Sequence, residues 1–144
     1  MTWEIKEWNE LSTKEVENIF SLRSEVFVVE QDCVYQDIDG KDQTARHVLG
    51  KKENEIVAYV RIFKPGDYFK EASFGRAVVK KSYRGKKIGH DLVKKCLENI
   101  KDKIIKISAQ SYLKSFYSSH GFKAEGMEYL EDGIPHTAMF IIRK

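Results

Sequence analysis

The stretch from Gly75 to Cys96 limits the possible folds most, because an apolar strand, a basic turn and an amphipathic helix follow one another there. The strand ends in the letters AVV, the turn reads SYRGKKIG, and apolar residues then recur at helical intervals. Gly85 and Gly89 let a ligand approach the backbone closely. A strand that turns into a helix in this way presents free N–H groups and the positive end of the helix dipole. The stretch therefore predicts an anion site of the kind that binds phosphate.

Three other interpretations of this stretch compete with phosphate binding. Residues 75–82, GRAVVKKS, come within one residue of the P-loop pattern, but Lys80 stands where that pattern requires glycine. The apolar letters AVV before it indicate the interior of a strand, which disfavours a nucleoside triphosphatase. Seven Lys or Arg lie within 80–95, but Tyr83 is the only aromatic residue among them, whereas nucleic-acid binding favours interleaved aromatic side chains. A solvated basic turn without a ligand is the third alternative.

The rest of the chain predicts alternating strands and helices in one α/β domain that covers residues 1–144. Ser12 and Glu15 stand at capping-box spacing before a helical pattern. The turn residues 53–55 and 131–133 separate runs that are typical of antiparallel strands. The predicted order is β-α-β-β-β-α-β-α-β-β, which indicates a central, twisted, mixed β-sheet flanked by helices.

Composition excludes several classes of protein. The 25 basic and 22 acidic side chains give a net charge of +3, which is too balanced for a dedicated nucleic-acid binder. No segment approaches the roughly 20 apolar residues that a membrane span needs, and acids interrupt the first residues too early for a signal peptide. We therefore expect a cytoplasmic protein with no membrane or nucleic-acid partner. Cys33 and Cys96 are far apart in sequence, which favours two reduced thiols over a zinc site or a disulfide framework.

The segment 25–42 is acidic, with six Asp or Glu against Lys41 alone. A calcium-binding EF-hand loop needs glycine at its sixth position and glutamate at its twelfth. Counted from Asp37, Gly40 is only the fourth residue, so the segment does not match that loop. We therefore expect no metal. A solvated loop and a loop that attracts a cationic amine both fit the composition.

The strand GRAVV, the turn YRGKKIG, the helix and strand that follow, and the segment QSYLKSFYSSHGF together resemble the Gcn5-related N-acetyltransferases over almost the whole chain. The segments LRSEVFVVEQDCVYQDIDGKD, ARHVLG and EDGIPHTAM are similar to the ElaA-like branch of that family. The resemblance implies an acyl-CoA acyltransferase fold, acetyl-CoA as co-substrate, and a small-molecule or peptide amine as acceptor. The identity of the acceptor and the oligomeric state stay open, a homodimer included.

The resemblance also implies where the cofactor binds. In that family the end of the strand holds the pantetheine of acetyl-CoA, the next turn cradles the pyrophosphate, and a later helix carries an Asn and then a Tyr. Lys87 stands where the family's turn has Gly or Ala, and Gln110 stands where the family has Asn. The implied cofactor-binding residues are Ala77, Val78, Val79, Arg84, Gly85, Lys86, Lys87, Ile88, Gly89, His90, Gln110 and Tyr117.

Acetyl transfer from a thioester needs a donor to the carbonyl oxygen, a proton for the departing thiolate and a neutral amine. The Val79 N–H, at the end of its strand, is the candidate for the first role. The resemblance assigns the second role to Tyr117, since a phenol with a pKa near ~10 stays protonated at neutral pH. The strand KIIKISA has no carboxylate, so another group or a water chain must serve as base. A non-catalytic acyl-CoA sensor of the same fold is the alternative function. Among the titratable residues of the ElaA-like segments, the candidates for the base are Glu30, Asp37, Asp39, His47 and His136, of which Glu30 and His136 rank first because both adjoin apolar residues.

Overall fold

The chain folds into seven strands and three α-helices in the predicted order, and the computed structural model describes all residues, 1–144. The predicted capping box is confirmed, because the Glu15 N–H donates to Ser12 Oγ at 3.0 Å and the Ser12 N–H donates to Glu15 Oε1 at 2.8 Å. The strands are β1 (Thr2–Glu7), β2 (Arg46–Lys52), β3 (Glu55–Phe63), β4 (Ser73–Val79), β5 (Ile104–Gln110), β6 (Lys123–Glu131) and β7 (Ile134–Ile142), and the helices are α1 (Thr13–Arg23), α2 (Ile88–Asn99) and α3 (Lys114–Ser118).

The strands form two antiparallel sheets with the orders β1-β2-β3-β4 and β5-β7-β6. The sheets meet at one parallel bridge between Ala72 and Ile105, where the Lys106 N–H donates to the Ala72 carbonyl at 2.9 Å. Beyond this bridge β4 and β5 share no ladder, so their edges separate and leave a cleft. The predicted α/β fold class is confirmed. The sheet that was predicted as one mixed sheet is divided into two antiparallel sheets, which a single parallel bridge joins.

Apolar side chains cover both faces of the larger sheet. Helix α2 packs Leu92 into a core with Ile105 and the other buried residues on one face. Helix α1 packs Ile19 and Leu22 against Tyr59 on the opposite face. Side chains of β3 point alternately to the two faces and enter both cores, which fixes the two helices on opposite sides of the larger sheet.

None of the helices combines the length and the apolar character that crossing a membrane requires.

The acidic segment before β2 is held by buried arginines. Arg23 on α1 donates to Asp37 Oδ2 at 2.9 Å and to Asp42 Oδ1 at 2.7 Å. Arg61 on β3 donates to the same Asp42 oxygen at 2.9 Å and to Asp39 Oδ2 at 2.6 Å. Both arginines and Asp42 are at most 3% exposed. The expectation of a solvated loop is therefore wrong for these carboxylates, because arginines distant in sequence neutralise them.

Strand β4 contains a bulge at Arg76. The register with β3 shifts between Tyr59 and Arg61, and Arg76 has a φ of 55°. A left-handed conformation costs a non-glycine residue about 1 kcal/mol or more. The Arg76 side chain is anchored in return, because its Nε lies 2.8 Å from Asp37 Oδ1. The bulge thereby ties the cleft-side edge of β4 to the acidic segment.

Candidate active site

A cavity of about 630 Å³ occupies the cleft between β4 and β5. A π-helical continuation of α1, Ser24–Glu30, forms part of its wall. Cavities of this size are typical of small-molecule and cofactor sites. Lys86 does not line the cavity, and its ammonium instead lies 5.4 Å from the ring centre of Tyr83. The predicted cofactor residues that do line it are Ala77, Val78, Val79, Arg84, Gly85, Lys87, Ile88, Gly89, His90, Gln110 and Tyr117.

The turn before α2 leaves its first amides free. Gly85 has a φ of 80° and Lys87, the N-cap residue of α2, has a φ of 64°. The N–H groups of Ile88, Gly89 and His90 have no intrahelical acceptor because they lie in the first turn, and no side chain caps the helix. The positive end of the dipole of this 12-residue helix therefore points into the cavity wall beside Gly85 and Lys87, where an anion is stabilised.

The left-handed conformation of Lys87 predicts that Lys87→Gly stabilises the fold. Glycine adopts this φ without the clash of a Cβ, which outweighs the extra freedom that it gives the unfolded chain, so we expect a gain of about 0.5–1 kcal/mol. Urea unfolding measures the change, and the coenzyme A affinity stays equal or rises. Lys86→Gly is the matched control, because Lys86 has a negative φ and glycine there adds only unfolded-state freedom. A Lys87→Gly protein less stable than the wild type would contradict this account.

The end of β4 directs backbone groups into the cleft. The Lys80 N–H donates to the Val57 carbonyl at 2.8 Å, so residue 80 faces β3. Since neighbouring residues of a strand turn their backbone groups to opposite edges, the Val79 N–H and carbonyl face away from β3. The Val79 carbonyl accepts a bond from Arg84 Nε at 3.0 Å, which agrees with this direction. The Val79 N–H thus faces the cleft, where it is free to donate to a ligand in the cavity.

Glu30 and Arg84 form an ion pair at the cavity wall. The guanidinium donates to both carboxylate oxygens, with Nη1 at 2.6 Å from Oε2 and Nη2 at 2.9 Å from Oε1. The hydrogen bond from Arg84 lowers the pKa of Glu30 below its ordinary value. A carboxylate with a lowered pKa and both oxygens occupied is a poor proton acceptor. The prediction of Glu30 as catalytic base is therefore not favoured by this geometry, although Glu30 does line the cavity.

We expect Glu30→Gln to strengthen coenzyme A binding by about two- to fivefold. The change leaves Arg84 without its anionic partner, so the guanidinium becomes available to a phosphate, and exposed ion pairs of this kind are worth about 1 kcal/mol or less. Calorimetric titration of wild type and variant measures the effect. A fall in turnover of about 100-fold or more in this variant would instead support the role of Glu30 as base.

Tyr117 reaches the cavity from α3 and is 7% exposed. Its ring packs against Phe74, Phe116 and Phe122, with ring centres 6.2, 5.0 and 6.1 Å away. Burial raises the pKa of its hydroxyl, which keeps the proton on the oxygen at neutral pH. The hydroxyl is therefore a protonated donor fixed by aromatic packing.

The other predicted titratable residues occupy different places. His136 is 6% exposed and lines the cavity from β7. His47 lies in the interior, where its Nδ1 is 2.6 Å from the Tyr59 hydroxyl and its Nε2 is 2.9 Å from the Asp42 carbonyl. Burial lowers the pKa of His47, which makes it a neutral structural residue. With Asp37 and Asp39 paired to arginines, His136 is left as the predicted base whose position suits the role.

Sequence reasoning missed several polar pairs around the cavity. The side-chain amides of Gln31 and Gln110 bond across it at 3.3 and 3.4 Å. His90 Nδ1 and His120 Nε2 are 2.8 Å apart at the ends of α2 and α3, and burial followed by the neighbouring His90 lowers the pKa of His120. The two glutamines lie 79 residues apart in sequence and the two histidines 30 residues apart, so no short sequence pattern predicts these contacts.

Neither cysteine forms a disulfide, and burial raises the pKa of Cys96. The structure contains no group of three or more His, Cys, Asp or Glu side chains close enough to hold a metal ion.

Comparison with protein families matches residues 9–142 to the family described as "Acetyltransferase (GNAT) domain". Protein ElaA of Escherichia coli (strain K12) is 44% identical over 143 residues, which cover 95% of this chain and 94% of ElaA. A UPF0039 protein of Synechocystis sp. is 35% identical over 96% of this chain and 94% of its own length.

Solved structures agree with these matches. The crystal structure of Escherichia coli ElaA is similar with a TM-score of 0.88 and 42% identity, covering 99% of each chain. The crystal structure of an acyl-CoA N-acyltransferase from Pseudomonas aeruginosa is similar with a TM-score of 0.91 and 34% identity, covering 98% of this chain and 99% of that one.

Proposed function

The chain belongs to the acetyltransferase (GNAT) domain family, and from that premise we propose that it is an acetyl-CoA-dependent N-acetyltransferase that acts on a primary amine of a small molecule or peptide. The amine nitrogen attacks the thioester carbonyl carbon directly, so a C–N bond forms while the C–S bond breaks. The observation that carries the proposal is the meeting of three features in one cavity: the free first amides of α2, the outward-facing Val79 N–H, and the Tyr117 hydroxyl.

The residues at the turn fit a pyrophosphate. Free N–H groups at the start of α2 can donate to phosphate oxygens, and Gly85 has no side chain to block the approach of the phosphate. Arg84 adds charge when its bond to Glu30 is exchanged for a bond to phosphate. The apolar wall of Ala77 and Val78 suits the uncharged pantetheine arm of coenzyme A.

The residues deeper in the cavity fit the transfer step. A hydrogen bond from the Val79 N–H stabilises the negative charge that develops on the thioester oxygen. The Tyr117 hydroxyl gives its proton to the departing thiolate, and solvent protons later restore it. The proton that the amine loses must go to a further group, for which His136 is the best-placed of the predicted residues.

Two measurements test the proposal. Calorimetry with coenzyme A should give saturable heat of binding, and acetyl-CoA with a panel of primary amines should release free thiol above the rate of hydrolysis. Binding without amine-dependent release would favour the alternative, a non-catalytic acyl-CoA sensor. The absence of any coenzyme A binding would overturn both functions.

A further inference from the structure

Polar side chains from three strands meet on one face of the smaller sheet, beside the cavity. In the register of this sheet Gln110 on β5 pairs with His136 on β7, which also pairs with Tyr129 on β6. Ser108 and Glu131 lie two residues from Gln110 and Tyr129, so the period of two brings them to the same face as His136. We call Ser108, Tyr129, Glu131 and His136 the β5–β7 polar cluster.

The hydrogen bonds of this cluster fix the tautomer of His136. Its Nδ1 lies 2.7 Å from the carbonyl oxygen of Ile134, which can only accept, so Nδ1 carries a hydrogen. The other ring nitrogen, Nε2, lies 3.4 Å from Glu131 Oε2. In a neutral ring both of these facing atoms are acceptors. The neutral ring therefore has an open acceptor at Nε2, with the Glu131 carboxylate beside it.

Glu131 is itself held in place for this contact. The Ser108 hydroxyl donates to Glu131 Oε1 at 3.3 Å, and it also bonds with the Tyr129 hydroxyl. The Tyr129 ring stacks on the His136 ring, with centres 6.2 Å apart. The imidazole thus has a defined orientation, and a carboxylate lies beyond its Nε2, so a proton that arrives at Nε2 has a second acceptor beside it.

The cluster connects the cavity to solvent. Ser108 and His136 line the main cavity, and the His136 side chain is 8% exposed. The Glu131 side chain is 37% exposed, and it also lines a small cavity of about 30 Å³ that shares Ser108 with the main one. A proton received at His136 can therefore pass to Glu131 and leave the protein without crossing the site where acetyl transfer occurs.

We propose that His136 accepts the proton of an incoming primary alkylammonium ion and that Glu131, acting through His136, is the positioning residue that receives and releases it; this inference rests on the proposed function. The ammonium loses one proton to His136 Nε2 and becomes a neutral amine. The amine attacks the thioester, and its second proton leaves by the same route once Glu131 has passed the first to solvent. The thiolate takes its proton from Tyr117, so the net products are the amide, the thiol of coenzyme A and one proton.

The surroundings favour Glu131 over Glu30 in this role. Glu30 has both oxygens occupied by Arg84, whereas Glu131 Oε2 faces only the imidazole. Besides Tyr129 of the cluster itself, the charged and titratable groups next to Glu131 are Arg61 of β3 and Tyr68 of the β3–β4 connection, both in the small cavity. Arg61 already donates to Asp39 and Asp42, so it leaves Glu131 free to receive a proton.

The test compares two acceptors of the same length, a primary alkylamine and an alkoxyamine, with the variant Glu131→Gln. The alkylamine is an ammonium at pH 7, with a pKa about 10, and needs a base, whereas the alkoxyamine is already neutral. We expect Glu131→Gln to lower kcat with the alkylamine by about 10- to 100-fold, and to lower it with the alkoxyamine by less than about threefold. The deficit with the alkylamine should shrink as the pH rises.

Two further variants sharpen the result. Glu128→Gln, on the same strand but fully outside the cluster, should leave turnover with both amines unchanged. Glu131→Asp should restore part of the lost turnover with the alkylamine, because it keeps the carboxylate. An equal loss with both amines, or no loss at all, would overturn the inference while leaving the proposed function standing. Transfer by the wild-type protein to neither amine would overturn the proposed function and the inference with it.

Discussion

Replacing Tyr117 with phenylalanine should lower kcat for acetyl transfer by about 100- to 10,000-fold while leaving the dissociation constant of coenzyme A within about twofold. The substitution removes the proton donor for the thiolate and keeps the ring that packs against Phe74, Phe116 and Phe122. No protein group bonds the Tyr117 hydroxyl, so its loss leaves no buried partner unsatisfied and the fold keeps its stability. Thiol release with an accepted amine measures kcat, and calorimetry measures coenzyme A affinity.

A second buried tyrosine provides the control. Tyr59 is fully buried outside the cavity, and its hydroxyl bonds to His47. Tyr59→Phe should lower stability, because it leaves the His47 nitrogen without its donor, but turnover per folded molecule should stay the same. If Tyr117→Phe retained turnover within about threefold of the wild type, the proton for the thiolate would have to come from another donor.

The turn and the strand before it were predictable because their signals are local. Gly85, the cations around it and the helical spacing after Gly89 lie within a few residues of one another. Steric freedom and helix-end chemistry follow directly from such short patterns. The same holds for the capping box at Ser12, which the structure confirms in both of its hydrogen bonds.

The electrostatic pairs were not predictable, because their members are brought together only by the tertiary fold. Glu30 meets Arg84 across 54 residues, and Ser108 meets Glu131 across 23. An acid next to apolar letters looks the same in sequence whether it faces an arginine, an imidazole or water. For this reason Glu30 and His136 were the bases predicted from the sequence, and Glu131 was not among them. The neighbours of Glu131 are set by the register of β6 and β7.

The acidic segment illustrates the same limit with a larger energetic consequence. Six acids among 18 residues suggest a solvated surface. Instead, Arg23, Arg61 and Arg76, which lie on three separate elements, converge on this acidic segment. Their burial is a property of how α1, β3 and β4 pack. The segment is therefore a structural part of the cavity wall, because Arg76 itself lines the cavity and is tied to Asp37.

Replacing Arg61 with methionine should lower the free energy of unfolding by about 3–5 kcal/mol, which is a large fraction of the stability of a typical domain. The side chain is 1% exposed and donates to Asp39 and Asp42, so the change leaves two carboxylates with less compensation. Methionine keeps most of the volume, which isolates the loss of charge from the loss of packing. Urea unfolding at neutral pH measures the difference.

The matched control and the pH dependence distinguish this ion cluster from ordinary packing. Lys80→Met breaks the exposed pair with Glu55 and should cost about 1 kcal/mol or less. Burial alone raises the pKa of Asp39, but hydrogen bonds from Arg61 and from the Lys41 N–H outweigh it, so the pKa lies below its ordinary value of 3.8. A lowered pKa contributes stability that is complete above the ordinary value and is lost as the pH falls below it. The gap between wild type and Arg61→Met should therefore be widest near neutral pH and narrow in acid; a gap that stays constant with pH would show that Arg61 stabilises the fold through packing.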